Sequence, residues 1–356
     1  SSGKLSVSIN GTRIDVGISA ADTAETIAAA LTELITQKDG LPVTATANAG
    51  EVTLTCRHKG AVGNDIIVSS GVTAAGITAA ATTLTGGNVD PDITPALAAA
   101  FSAGHNIIVC PFSTQEAMTA LRNHLTNVSN AMEQRGAIGV GGWRKSLSTG
   151  IALAASLNDG RITLGWHSGS VKTPAQIAAA YAAVIASEED PARPLNTLAM
   201  STLDVTAVES QPGRTEQENA LRNGLTPFEI GPGDKVQIVR AISTYTKNAQ
   251  GVDDVALLDI TTIRTLDYVR KACRERIALR FPRDKLSSRT PPKVRSELLD
   301  VLYKLEELEI VEEVDANKDG LIVERDLQDV NQLNGRIPAD VVNGLHVFAG
   351  RIDLLL

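Results

Sequence analysis

The chain has 356 residues and a formal net charge of -8 at pH 7, so it is long enough to bury the cores of two or three domains. This acidic balance argues against a nucleic-acid binder, because phosphate contacts need lysines and arginines spread over a whole surface. Hydrophobic residues make up 43% of the chain and aromatic residues only 3%, which predicts cores built from Ala, Val, Leu and Ile.

The first 90 residues are predicted to form a small α+β module. Residues 5–9 and 14–18 alternate apolar and polar side chains around Asn10-Gly11, which predicts a β-hairpin. Asp22 or Thr23 can cap a helix that runs to about residue 37. The residues predicted to face inward from this helix are Ile27, Leu31, Leu34 and Ile35. Further strands are predicted at residues 42–47, 51–56 and 66–68.

A low-complexity Ala/Thr/Gly segment at residues 71–87 follows, and it predicts a flexible connection or weak strands. Residues 91–200 are predicted to form a central α/β domain, in which Ala-rich helices alternate with short apolar strands and cover a sheet. The predicted helices span residues 93–103, 114–128, 145–157 and 174–187, and the predicted strands span residues 107–110, 137–140 and 161–166. Residues 201–356 are predicted to form a third domain, also α/β. The fold class expected is therefore a multidomain combination of α/β and α+β.

Four glycines at residues 136–142 stand between a predicted strand and a predicted helix, where a nucleotide-binding loop would lie. They are Gly136, Gly139, Gly141 and Gly142. Their order is GxxGxGG rather than GxGxxG, and no acidic residue follows about twenty positions on at the end of a second strand. We interpret the run as a tight strand-to-helix turn that uses glycine for positive φ. A nucleotide-binding α/β enzyme that uses this turn is the alternative function.

Residues 315–326 resemble a calcium loop in the spacing of their oxygen ligands. The candidate ligands are Asp315, Asn317, Asp319 and Asp326. An EF-hand needs a helix after its loop, whereas the residues that follow here are interrupted by Asn, Gly and Pro. We therefore predict no working calcium site. A calcium-linked extracellular adhesin is a further alternative function.

Residues 240–286 combine a strand-like run, a polar turn and one amphipathic helix. The residues that fall on one face of this helix, at spacings of three and four, are Ile263, Leu266, Val269, Cys273 and Ile277. Between Arg264 and Arg283, seven Lys or Arg residues stand against two acids. In an acidic chain, this reversal predicts one face in a core and another facing a charged partner. An ordinary solvated face is the alternative.

Several ordered blocks in the C-terminal half form a signature. They are residues 190–195, 243–245, 258–259, 280–283, 321–326 and 347–349. Over these blocks the chain resembles contractile-tail sheath proteins of the Mu-like phage branch. The resemblance implies a structural protein rather than an enzyme, without a cofactor. It also implies that residues 321–326 form a strand, entered through the turn at Asp319-Gly320. It implies hexameric rings stacked around a tail tube and anchored at a baseplate, which shorten to drive the tube through a cell envelope.

The resemblance also implies a place in the virion tail after assembly in the host cytoplasm, with the N-terminal module projecting outward. It implies neither a nucleic-acid partner nor direct membrane insertion. No apolar run approaches the length needed to span a bilayer. Three cysteines far apart in the sequence favour reduced thiols, which suits cytoplasmic assembly. They are Cys56, Cys110 and Cys273.

A sheath must keep its subunits tethered while their surfaces slide, and exchanged β-strands can do this. We expect residues 345–354, at the end of the C-terminal sheath domain, to be such a strand. The residues expected to meet a neighbouring subunit or the tube are Arg264, Arg270, Lys271, Arg274, Arg280, Arg283, Leu345, Val347, Ala349 and Leu354. Because the chain starts without Met, we expect a fragment that lacks an N-terminal arm and is mainly monomeric or weakly associated.

Overall fold

The structure, a computed structural model, describes residues 2–346 and residue 351. The first group of elements is a module of two small sheets and one helix. Its elements are β1 (Gly3–Ile9), β2 (Thr12–Ile18), α1 (Ala24–Gln37), β3 (Val43–Asn48), β4 (Glu51–Cys56) and β5 (Val68–Val72). Strand β1 pairs antiparallel with β2 and β5, while β3 and β4 form a separate hairpin. Asn10 and Gly11 have φ values of 51° and 80°, which is the geometry of the predicted two-residue hairpin turn.

Helix α1 begins at a capping box. The N–H of Thr26 donates to the Thr23 hydroxyl at 3.3 Å, and the N–H of Thr23 donates to the Thr26 hydroxyl at 3.0 Å. The inward-facing residues include Ile27, Leu31 and Ile35, as predicted. The prediction for Leu34 is wrong, because this side chain is 37% exposed. The buried stripe is centred on Leu31 and extends toward Ala28, which leaves Leu34 at its edge.

The second group of elements surrounds a five-stranded sheet. These elements are α2 (Thr94–Ala100), β6 (Ile107–Val109), α3 (Gln115–Val128), β7 (Ile138–Trp143), α4 (Leu147–Leu157), β8 (Ile162–Trp166), α5 (Pro174–Ser187), α6 (Arg214–Arg222), β9 (Thr226–Gly231) and β10 (Lys235–Ile238). The strand order is β10-β9-β8-β7-β6; β6 to β9 are parallel, and β10 returns antiparallel to β9. Helices α3 and α4 pack on one face of the sheet and α5 on the other, which gives three layers.

The third group of elements begins with helix α7, which connects the central core to a second core around helix α8. These elements are α7 (Ile260–Arg280), α8 (Thr290–Glu307), β11 (Val311–Glu312), α9 (Val314–Asn317), β12 (Ile322–Arg325), β13 (Leu333–Arg336) and β14 (Asp340–Val341). Ile260 and Ile263 of α7 are buried in the central core, whereas Val269 and Cys273 are buried against α8. Among the described residues, no helix combines the length and the apolar character needed to cross a bilayer.

These elements confirm the predicted fold class. The five-stranded sheet draws strands from both sides of residue 200, since β6 to β8 precede it and β9 and β10 follow it. The domain limits 1–90, 91–200 and 201–356 stay a prediction.

We expect limited proteolysis to cut first between residues 71 and 92. After β5 this stretch has no regular element before α2, and small exposed residues dominate it. Local hydrogen bonds hold it to the module at intervals, among them Asn64 to Gly87, Asp90 to Val62 and Ser70 to Ala79. Mass spectrometry of the early fragments is the measurement. A first cut inside residues 27–34 would contradict a separable module.

Candidate functional site

The glycine run at residues 136–142 is not a turn. Gly139, Gly141 and Gly142 lie within strand β7, and their φ values lie outside the left-handed region, so the turn interpretation is wrong. A Cβ added at Gly142 would stand 2.8 Å from the Ala178 nitrogen of α5. One added at Gly139 would stand 2.6 Å from Leu121 Cδ2 of α3. The glycines therefore let helices approach both faces of the strand, and they form no phosphate-binding loop.

The carboxyl ends of β7 and β8 mark the place where open α/β sheets hold ligands. Here that place receives the N-terminal module. Arg144 directly follows β7, and its guanidinium donates to the backbone carbonyls of Ser170, Lys172 and Asp65. Asn10, at the hairpin turn of the module, donates to the Gln176 side chain at 2.6 Å. This end of the sheet thus serves as a docking surface for the module.

His167, Ser170 and Asp204 lie together in space, a cluster that the sequence did not indicate. The Ser170 hydroxyl donates to the Asp204 carboxylate at 2.5 Å, and the His167 ring contacts the Asp204 backbone carbonyl at 2.7 Å. A catalytic serine needs its hydroxyl on the histidine ring, so this arrangement is not a nucleophile–base pair. Burial lowers the pKa of His167. Burial also raises the pKa values of Cys110 and Cys273 to about 11, which makes these thiols poor nucleophiles.

The calcium-like loop uses its oxygens for local structure. Asp315 accepts from Lys318 Nζ at 2.8 Å and from the Tyr303 hydroxyl at 2.7 Å, and these two bonds hold the pKa of Asp315 below its usual range. Asp326 accepts from the Asn334 amide at 2.7 Å. The chain leaves the loop as strand β12, which confirms the predicted strand. Within residues 2–346 and 351, no three His, Cys, Asp or Glu side chains gather as metal ligands.

We expect calorimetric titration with calcium chloride to find no micromolar site. A calcium ion would have to displace the Lys318 ammonium from Asp315 and would still lack the ligands of an exit helix. The Asp315→Ala variant is the matched control, and its titration should be indistinguishable from that of the parent. A micromolar site that disappears in Asp315→Ala would contradict this prediction.

Most cations of α7 already have partners within the chain. The ion pairs on its surface are Arg270 with Asp267, Lys271 with Glu275, Arg276 with Glu297 and Asp300, and Arg280 with Glu297. Arg264 and Arg274 donate to the backbone carbonyls of Glu188 and Gln134, both at 2.9 Å. Burial lowers the pKa of Arg264. These Lys and Arg residues therefore join α7 to the sheet region and to α8, and several of their side chains also face solvent.

Asp267 is the acid that fixes α7 to the sheet. Its carboxylate accepts from Arg161 at 2.6 and 3.0 Å and from Arg270 at 2.9 Å. The Arg161 and Asp267 side chains are only 15% and 17% exposed. Asp267 also packs on Gly136, where a Cβ would stand 2.8 Å from its own. No local pattern in the sequence indicates this pair, because its two residues are 106 positions apart.

Part of α7 remains accessible to a partner. Tyr268, Lys271, Glu275 and Leu279 recur at spacings of three and four and form an exposed stripe. The side chain of Lys271 is 64% exposed, and Leu279 is 76% exposed. Arg283, just beyond the helix, is exposed too. The expectation that the basic residues meet a partner stays a prediction.

The predicted exchanging strand falls largely outside the described residues. Leu345 is described and is 81% exposed. Val347, Ala349 and Leu354 lie outside the described residues, so their predicted roles stay predictions.

Comparison with known proteins finds related sequences along the whole chain. The family model described as phage tail sheath protein central domain matches residues 86–244, and the model described as phage tail sheath C-terminal domain matches residues 252–354. The chain is 31% identical over 373 aligned residues to the Mu-like prophage FluMu tail sheath protein of Haemophilus influenzae. This alignment covers 99% of the chain and 76% of the relative.

Solved structures share the fold. The sheath tail protein of Desulfitobacterium hafniense is 15% identical with a TM-score of 0.55, and the match covers 97% of this chain and 80% of that one. The sheath tail protein of Listeria innocua is 13% identical with a TM-score of 0.55 and covers 95% and 73%. A chain of the anti-feeding prophage baseplate, from a six-fold symmetrised cryo-EM structure, is 11% identical with a TM-score of 0.54 and covers 76% of both chains.

Proposed function

The chain belongs to the phage tail sheath family, and we propose that it polymerises as stacked hexameric rings around a tail tube and contracts to drive the tube through a cell envelope. It is a structural subunit of a phage tail, so its place in the virion is the tail. The observation that carries the proposal is the alignment with a Mu-like prophage tail sheath protein over 99% of this chain. Six-fold rings are supported by the symmetry applied to the anti-feeding prophage baseplate, one chain of which has this fold.

We propose that the protein is not an enzyme. The glycines of β7 are packed against helices, and the carboxyl end of the sheet holds the N-terminal module. These contacts favour a scaffold over the nucleotide-binding alternative. Assembly in the host cytoplasm suits Cys56, Cys110 and Cys273, which are all free thiols in the structure.

The partners we propose are neighbouring copies of the chain, a tail tube and a baseplate, without nucleic acid. On α7, Lys271, Arg280 and Arg270 have side chains 64%, 55% and 52% exposed, and with Arg283 they are the best placed to meet the tube or a neighbour. Contacts by such exposed charges weaken with salt, because screening acts over about 10 Å at 0.1 M ionic strength. Arg264 and Arg274 bond to carbonyls of their own chain and act as positioning residues.

The tether we propose is the end of the chain, exchanged as a β-strand between subunits. Pairing about ten residues with a neighbour adds several main-chain hydrogen bonds, each worth roughly 1 kcal/mol net. Repeated around and between rings, these bonds hold a polymer together while its subunits rotate.

Deletion of residues 347–356 from the full-length protein should abolish long sheaths, because each subunit loses its tether. Circular dichroism should show an unchanged melting temperature, since the buried core residues in the described part of the chain all precede residue 347. Sheath length in negative-stain electron micrographs is the measurement. The control replaces the same ten residues with a Gly/Ser repeat of equal length, which keeps the reach but removes the apolar side chains. Sheaths of normal length in the deletion variant would show that the tethers lie elsewhere.

A further inference from the structure

The side chain of His346 is largely shielded from solvent although the residue lies near the end of the described chain. Its imidazole is 13% exposed, whereas the neighbouring Leu345 is 81% exposed. His346 Nδ1 lies 3.2 Å from the Asn196 side-chain oxygen, and Nε2 lies 3.5 Å from Asp259 Oδ1. After β14, the chain therefore directs the His346 side chain toward the interior and the Leu345 side chain toward solvent.

The backbone next to His346 also lies close against the body. A Cβ added at Gly344 would stand 2.5 Å from Pro194 Cγ and 2.9 Å from His346 Nε2. Only a residue without a side chain fits this approach. Pro194 and Asn196 belong to the same loop, so this loop contacts the segment at two successive points.

The Asp259 carboxylate, which faces His346 from another side, is held rigidly. Asp259 directly precedes α7, and Arg240 donates to both of its carboxylate oxygens, at 2.8 and 2.7 Å. Such a bidentate pair fixes the orientation of a carboxylate. Asp259 also bridges to Ile242 through the backbone. His346 thus lies against two separate parts of the chain, Asn196 and Asp259, and Arg240 holds the second of them in place.

We propose that His346 is an anchor, a positioning residue that docks the root of the C-terminal segment onto the start of α7. Load on the segment then passes to Asp259 and along α7 to the Asp267–Arg161 pair, and so into the central sheet. The load path rests on the proposed sheath function. The anchor itself does not, because every contact that forms it lies within one chain.

The charge state of His346 gives the anchor a measurable signature. The facing charged groups are Asp259 and Arg240; burial lowers the pKa of His346, Asp259 acts to raise it, and Arg240 acts to lower it. The docked ring therefore favours the neutral form more than a free histidine does, whose pKa is about 6.5. Docking is complete above that pH and weakens as the pH falls through the lowered value. Undocking returns the pKa of His346 to its ordinary value.

The anchor is tested with a nitroxide label at Leu345→Cys, in a Cys56→Ser background that leaves only the two buried native thiols. At neutral pH the electron paramagnetic resonance spectrum should be immobile. In His346→Ala, and equally in Asn196→Ala, the mobile component should become the main one, and His346→Gln should recover part of the immobile component. His58→Ala, at an exposed histidine of the N-terminal module, is the control and should change nothing. Nuclear magnetic resonance titration should place the pKa of His346 below 6.5 in the parent and near it in Asn196→Ala.

An immobile label in both His346→Ala and Asn196→Ala would overturn the anchor. Sheath assembly by the full-length variants, scored in micrographs, tests the load path separately. A released label together with shortened sheaths supports that path, whereas a released label with sheaths of parental length overturns it. If the unmodified full-length protein forms no sheath at all, the proposed function and the load path fail together, while the spectra still decide whether His346 is the anchor.

Discussion

Gly142→Ala is expected to lower the free energy of unfolding by about 3 kcal/mol, because the new methyl group overpacks the interior. A Cβ at Gly142 would collide with the Pro174 carbonyl oxygen and would stand 2.8 Å from the Ala178 nitrogen. Both atoms belong to the backbone of α5, so the whole helix would have to shift. Urea denaturation followed by circular dichroism is the measurement.

Two further variants grade this effect. Gly139→Ala should cost less, because a Cβ there would meet the Leu121 and Leu125 side chains, which can change rotamer. Gly17→Ala in β2 is the matched control, since nothing lies within 4 Å of a Cβ at that strand position. It should be neutral or slightly stabilising. Equal losses at Gly142 and Gly17 would contradict the packing between β7 and α5.

Asp267→Asn is expected to cost about 3 kcal/mol, since the substitution keeps the shape of the side chain but leaves the largely buried Arg161 without its counter-charge. The Arg161 guanidinium connects the end of the sheet to α7. Loss of the Asp267 charge should therefore weaken the contact between α7 and the sheet before other contacts. Relative to the parent protein, amide hydrogen exchange should then accelerate more in α7 than in α5. The free energy of unfolding is measured by urea denaturation.

Asp253→Asn is the control for the charge change alone. Asp253 pairs with Lys247 at 3.3 Å on the surface, with side chains 91% and 56% exposed. A surface pair of this kind contributes roughly 0 to 1 kcal/mol. If the Asp267 and Asp253 variants lose the same small amount, Asp267 does not fix α7 to the sheet.

Local signals in the sequence predicted most of the elements. Asn10-Gly11 predicted the hairpin because few dipeptides adopt positive φ at both positions, and Thr23 predicted the start of α1 because its hydroxyl can accept a free N–H. The ordered C-terminal blocks predicted the sheath family, which the relative from Haemophilus influenzae confirms. These features depend on neighbouring residues or on the order of motifs along the chain.

Contacts between distant residues could not be predicted in the same way. The glycine-rich sequence of β7 suggests a turn, whereas in the structure the glycines make room for helices. The sequence does not reveal which helix will lie across a strand. The local excess of positive charge on α7 could be predicted from the sequence, but its ion pairs could not. No sequence pattern links Arg276 to Asp300 or Arg161 to Asp267. His346 stood alone in the sequence, and only the fold brings Asn196 and Asp259 to its ring.

The place of this chain in the virion is tested most directly by immunogold electron microscopy of phage particles that contain it, with polyclonal antibodies raised against residues 1–356. A sheath subunit is repeated along the whole tail. We therefore predict gold particles along the full length of extended tails, and along the shortened outer layer of contracted ones. Label confined to the tail tip or to the head, or tails without any label, would contradict a sheath subunit.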